Sequence, residues 1–204
     1  KIMTALLTIE NLPDLNETIT VPEDIFEELT AQDASVAGFN PYEQPTVRDL
    51  LYGVLLPSGA DACETLARAV GGSEEGFVAM MNQKAEELGL TNTHFENCTG
   101  LHNDNHYSTC RDIAVLMSEC LKSDTFREIV TREVYTTEAT ASHPEGITLY
   151  DTMLHRFTSY EMSTTLENGA VIEGGKTGFT DEAGQCLVSF AEYGGAVSYT
   201  HLRA

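Results

Sequence analysis

The spacing of apolar residues changes character about two-thirds of the way along this chain, and that change constrains the fold more than any other feature. Up to Leu121 the apolar residues recur mostly at helical intervals. Beyond it, REVYTT, AVIEGG and QCLVSFAEY are rich in β-branched and aromatic residues. AVIEGG and QCLVSFAEY read as a hairpin, with GFTDEAG holding the turn and KTG at the end of the first strand. A helical cluster followed by a sheet predicts an α+β domain, with helices packed on antiparallel strands.

The helical part has clear punctuation. KIMTALLTIE reads as the interior of an amphipathic helix that starts without a cap. Residues 11–45 are rich in Pro, Asp, Glu and Thr, with short extended pieces such as ETITVP. Thr46-Val47-Arg48-Asp49 forms a capping box before LLYGVLL, and Pro57 stops that helix. A second helix runs from Asp61 to Val70, closed by Gly71-Gly72, and a third from Glu74 to Leu88, with Gly89 beyond it. Residues 90–107 are irregular, and Thr109-Cys110-Arg111-Asp112 is another capping box, leading into IAVLMSECL. No repeat or low-complexity linker divides residues 1–204, so one domain is expected.

Composition removes several functional classes. The net charge of −21 repels a phosphate backbone and argues against nucleic acid as a partner. No run of some 18 apolar residues exists to cross a membrane. The five cysteines have no CxxC pair, which argues against a zinc ribbon and favours buried free thiols. His102 and His106 stand four apart, but a third fixed ligand is not apparent, so no metal and no cofactor are expected.

Three short signals bear on chemistry: Lys1, Ser58-Gly59-Ala60 and Lys176-Thr177-Gly178. Each is weak alone, and Ser58 has a simpler reading as the cap of the helix near Asp61. Together they resemble the SxxK, SxN and KTG elements of penicillin-recognising serine enzymes. The longer strings LLYGVLLPSGADA, HFENCTGLHNDNHYSTCRDIAVLM and GGKTGFTDEAG resemble the low-molecular-weight penicillin-binding proteins, the D-alanyl-D-alanine carboxypeptidases of peptidase family S11. The resemblance runs from Lys1 to about Ala196.

That resemblance implies the penicillin-binding/β-lactamase-like transpeptidase fold, and with it a role for each matched residue. The family's nucleophilic serine stands three residues before the lysine matched by Lys1. Residues 1–204 would then be an incomplete catalytic domain, inactive as written, whose tail 197–204 is not native. Lys1 would be the general base and Ser58 would pass a proton to the leaving D-alanine. Lys176 and Thr177 of the KTG element, which Gly178 completes, would hold the terminal carboxylate. The N–H of Phe179 would form half of the oxyanion hole. The substrate would be a peptidoglycan stem peptide ending in D-Ala-D-Ala, with β-lactams as inhibitors. The place of action would be the extracytoplasmic side of a bacterial membrane, any anchoring relying on segments outside this chain. Adjacent groups of this kind are what a serine hydroxyl needs, being a poor nucleophile without a neighbouring base.

Two departures carry weight. Alanine occupies position 60, where the family has asparagine beside the acyl chain of the substrate, and it offers neither donor nor acceptor. VSYTHLRA carries polar residues where the next strand is expected to be apolar. Ala60 keeps open the alternative of a degenerate, non-catalytic peptidoglycan-binding module. A β-lactamase-like hydrolase is a further alternative, weakened because no ExxLN string occurs.

Overall fold

The computed structural model describes residues 1–193 and, for its backbone alone, a strand over Ala196–Arg203. The helices form one cluster: α1 (Ile2–Asn11), α2 (Ile25–Ala31), α3 (Val47–Leu55), α4 (Ala60–Gly71), α5 (Glu74–Glu87), α6 (Cys110–Cys120) and α7 (Asp124–Val130). A two-stranded ribbon, β1 (Val134–Thr136) with β2 (Thr148–Tyr150), and a short helix α8 (Leu154–Ser159) come next. The antiparallel sheet is last, in the order β3 (Val171–Thr180), β4 (Gly184–Tyr193), β5 (Ala196–Arg203). Among the described residues no helix is long and apolar enough to cross a membrane.

The middle of the cluster is α1, where Ile2 to Thr8 are all buried and the helix touches α3, α4, α5, α6 and α7. That corrects the amphipathic reading: a helix buried on every side is apolar on every side, and its two threonines survive by bonding to backbone carbonyls. α3 starts where the capping box predicts. The Thr46 hydroxyl accepts from the N–H of Asp49, whose carboxylate accepts in return from the N–H of Thr46. Its other oxygen accepts from the hydroxyl of Tyr135 at 2.9 Å, tying β1 to the helix. The second box is only half formed. Thr109 caps Asp112, but the buried Asp112 carboxylate turns away from Thr109 to the N–H of Asn92 and the hydroxyl of Thr93.

β3 and β4 pair as the predicted antiparallel hairpin, from Val171↔Glu192 to Thr180↔Gly184, with one register shift between Ile172 and Gly174. The turn is tighter than GFTDEAG suggests. Residues 178–180 continue β3, only 181–183 turn, and Gly184 (φ +67°) takes the left-handed conformation that starts the return. The Lys176-Thr177-Gly178 run therefore lies inside a strand, not at its end. The tail also departs from expectation, since Ala196–Arg203 pairs with β4 along its length. Glycine is needed where β3 meets α7, because a Cβ on Gly174 would come 2.4 Å from the carbonyl oxygen of Val130. This close approach seats the sheet against the helices.

Candidate active site

Ser58 sits in the break between α3 and α4, and the chain around it is held tightly. Pro57 has no N–H with which to continue α3, and Ser58 takes φ +66°, unusual for a residue with a side chain. Gly59, not Ser58, is the N-cap of α4. A Cβ on Gly59 would lie 2.6 Å from Cβ of Ala37 and 2.7 Å from Oδ1 of Asp61, so no larger residue fits without movement.

Asp61, wholly buried in the first turn of α4, explains this close packing. Its Oδ1 accepts from the N–H of Ala37 at 2.7 Å and of Ala62 at 2.9 Å. Its Oδ2 accepts from the N–H of Gly38 at 2.9 Å and of Phe39 at 3.1 Å. A carboxylate at a helix N-terminus with four backbone donors is well satisfied, and it clamps the 37–39 loop against Gly59.

The freed Ser58 hydroxyl accepts a hydrogen bond from Nζ of Lys176 on β3. Lys176 is only 6% exposed and also donates to the carbonyl of Thr177 at 2.9 Å. Burial, reinforced by the repulsion of Lys1 and opposed by Asp151, pulls its pKa down to about 7. The hydroxyl of Thr177 bonds to that of Thr152, just before α8. Lys1 precedes α1, and its Nζ donates to the carbonyl of Thr99 in the irregular 90–107 segment.

All seven residues singled out in the sequence line one cleft of about 670 Å³: Lys1, Ser58, Ala60, Lys176, Thr177, Gly178 and Phe179. Ser58 has direct contact with one amine, that of Lys176, while the side-chain bond of Lys1 goes to Thr99. Ala60 is 1% exposed, with its N–H bonded to the carbonyl of Ser35 at 2.7 Å. Phe179 presents its ring to solvent, 62% exposed. The arrangement sets a hydroxyl against an amine able to gain or lose a proton near neutral pH, with a second amine across the same cleft.

Sequence reasoning missed four contributors. Asp61 lacked any motif that would mark it, and Thr99, Thr152 and Arg156 come from segments without periodicity. The two histidines weighed as a metal pair separate here. His106 lines the cleft, accepts at Nδ1 from the N–H of Glu96, and is pushed by burial to a pKa of about 4. His102 lines a second cavity of about 220 Å³.

Glu64 and Glu74 line that second cavity too, and with Cys98 they bring their side-chain donor atoms within 4.8 Å of one another. The Cys98 thiol donates to Oε1 of Glu64 at 3.3 Å, and its N–H to Oε1 of Glu74 at 3.2 Å. Burial and the neighbouring Glu74 raise Glu64 to about 7. Arg68, 3.7 Å from Oε2 of Glu64, already brings a positive charge to the group and would oppose a cation there.

The chain has counterparts among known proteins. A family model described as D-alanyl-D-alanine carboxypeptidase, peptidase S11, matches residues 1–198. The D-alanyl-D-alanine carboxypeptidase of Streptomyces sp. K15 is 36% identical over 203 residues, covering 96% of this chain and 67% of that protein. DacF of Bacillus subtilis, a D-alanyl-D-alanine carboxypeptidase, is 34% identical over 195 residues, covering 95% of this chain. This chain spans 47% of the length of DacF. Among solved structures, the Streptomyces K15 DD-transpeptidase superposes over the whole chain with a TM-score of 0.85 at 34% identity, matching 78% of that protein. The mixed helix and antiparallel sheet arrangement is therefore the penicillin-binding DD-transpeptidase fold.

Proposed function

The chain belongs to the D-alanyl-D-alanine carboxypeptidase family, peptidase S11, and from that premise we propose that its cleft is the site of a serine D,D-carboxypeptidase. The substrate in this reading is a peptidoglycan stem peptide ending in D-Ala-D-Ala, met on the extracytoplasmic side of a bacterial membrane. β-Lactams are its covalent inhibitors. One observation carries the reading most: Lys176, its pKa drawn down to about 7 by burial, bonds to Ser58 in the cleft that Lys1 also lines.

The chemistry assigns one task to each group. In the family pattern a serine stands three residues before the lysine matched by Lys1, which on a helix sets both on one face. Its oxygen bonds to the penultimate D-alanine carbonyl carbon, and its proton passes to the Lys1 amine. Negative charge on the former carbonyl oxygen is met by backbone N–H groups, that of Phe179 among them. The C–N bond to the last D-alanine then breaks. The departing nitrogen takes the proton of the Ser58 hydroxyl, which Lys176 replaces. The proton gained by Lys1 then returns through Ser58 to Lys176, restoring both amines. Water adds to the acyl-serine and gives a proton to Lys1, and the serine oxygen takes that proton as the C–O bond breaks and the shortened peptide leaves. Lys176 and Thr177 attract the terminal carboxylate, with Gly178 leaving that stretch of β3 without a side chain.

The test uses the chain extended upstream so that a serine stands three residues before Lys1. Release of D-alanine from N-acetylated peptides ending in D-Ala-D-Ala is expected, and Ser58→Ala is expected to slow it by about 10²-fold or more. Turnover that is indifferent to Ser58→Ala would refute the proton relay.

A further inference from the structure

Among the described residues the Lys1 side chain has one hydrogen bond, and it goes to the carbonyl of Thr99 in the irregular 90–107 segment. The side chain of Ala60, in the same cleft, has no acceptor to offer that amine. The place of the Lys1 amine therefore depends on what holds the Cys98-Thr99 peptide, which no helix or strand contains.

That peptide is held from behind. The carbonyl of Cys98 accepts from the Thr4 hydroxyl at 2.7 Å. Its N–H donates to Oε1 of Glu74 at 3.2 Å, and its thiol to Oε1 of Glu64 at 3.3 Å. Glu64 belongs to α4 and is buried, while Glu74 opens α5 and is half-buried, so two helices hold Cys98 through two carboxyl groups. Side-chain oxygens of the two glutamates lie within 4.8 Å of each other. Two negative charges so close and so poorly hydrated repel, and a proton on Glu64 removes one of them and gives it a donor toward Glu74.

The other groups around Glu64 favour that proton. Glu28 of α2 and Glu96 and His102 of the 90–107 segment line the same cavity as Glu64 and Glu74. Arg68, on the helix of Glu64 itself, is 3.7 Å away but has its closer pair with Asp24 at 2.7 Å. Burial first and Glu74 second raise Glu64 to about 7.

We propose that Glu64 and Glu74 are positioning residues for Lys1: while Glu64 carries its proton the pair holds Cys98, which fixes the Thr99 carbonyl and through it the amine of the general base. The inference rests on the carboxypeptidase reading for the role of Lys1. Below the pKa of Glu64 the anchor is complete. As pH rises through it, the second charge drives half-buried Glu74 toward water, the Cys98 N–H loses its acceptor, and the Thr99 carbonyl is released. Displacing a reacting group by about 1 Å can cost on the order of 10²-fold in rate, so a loose base is felt. Glutamine at position 64 keeps an acceptor for Cys98 and a donor for Glu74 at every pH.

The anchor is read in the chain as it stands, by amide exchange of Cys98 corrected for the intrinsic pH dependence of exchange. Protection in the unaltered chain is expected to fall roughly tenfold between pH 6 and pH 8.5, and to stay level in Glu64→Gln. The consequence for Lys1 is read by fluorescent-penicillin labelling of the chain extended to carry a serine three residues before it, with rate followed against penicillin concentration. The acylation rate constant of Glu64→Gln relative to the unaltered protein is expected to be near 1 at pH 6 and about 5 at pH 8.5, a ratio that sets aside the titration both proteins share. Glu74→Ala is expected to slow acylation about fivefold at pH 6 with the affinity of the reversible complex unchanged, and Glu74→Gln to recover most of that rate. Level Cys98 protection in the unaltered chain, or a rate ratio equal at both pH values, would overturn the inference and leave the carboxypeptidase reading standing. If the unaltered serine-extended chain takes up no label, the carboxypeptidase reading fails, and the positioning of its base with it.

Discussion

Glu64→Gln should make the protein more stable above pH 7 and leave it nearly unchanged at pH 4 to 5. Buried Glu64 faces Glu74 and the thiol of Cys98, and these surroundings raise its pKa from an ordinary 4.5 to about 7. Between those two values the folded chain keeps a proton that the unfolded chain has lost, so this group's contribution to stability falls as pH rises. At 1.36 kcal/mol per pH unit the loss approaches roughly 3 kcal/mol once Glu64 is fully charged. Glutamine keeps an acceptor for Cys98, supplies a donor toward Glu74 and never ionises. It gives up the 3.7 Å approach of Arg68, which retains its 2.7 Å pair with Asp24. A gain of about 2 kcal/mol at pH 8 corresponds to roughly 4–8 °C in Tm for a chain of this size. Thermal unfolding of both proteins at pH 5 and pH 8 reads this directly. Equal destabilisation at both pH values would mean that charged Glu64 is a working partner of Arg68, and the account of a protonated Glu64 would be wrong.

Three further outcomes concern the packing around Ser58. Gly59→Ala should lower stability by about 1–3 kcal/mol and speed amide exchange at Ala37, Gly38 and Phe39, because its Cβ would meet Ala37 and Asp61. Unchanged exchange there would show that the loop is not held by that contact. Asp61→Asn should be worse for stability than Gly59→Ala, since an amide cannot accept four backbone N–H bonds with one oxygen; denaturant unfolding of the two variants ranks them. In the serine-extended chain, Ala60→Asn should speed acylation by about fivefold, the worth of one hydrogen bond of about 1 kcal/mol to the acyl chain. An unchanged rate would mean that another residue already fills that role.

How much could be read beforehand depended on whether a feature was local. The capping box of α3, the third helix and the β3–β4 hairpin were legible because adjacent residues carry the cap, the helical repeat and the β-rich runs. The helices α2 and α8, of seven and six residues, were not, being shorter than the window in which periodicity stands out. The tail misled because polar residues stand where an apolar strand was expected, yet its backbone pairs with β4 as the last strand of the sheet order. Ser58, Lys176 and Thr177 were visible through short motifs. Asp61 and Arg156 were hidden, since one acts on a loop some 24 residues away and the other reaches the cleft only through the fold.

The most direct test of the acyl-transfer account is covalent labelling by a fluorescent penicillin. The chain extended to place a serine three residues before Lys1 should take up one label per molecule, mapped by mass spectrometry to that serine. Lys1→Ala should slow labelling by about 10²-fold or more, as removal of a general base does. A penicilloyl adduct on Ser58, or labelling that is unaffected by loss of the Lys1 amine, would contradict the roles given to these residues.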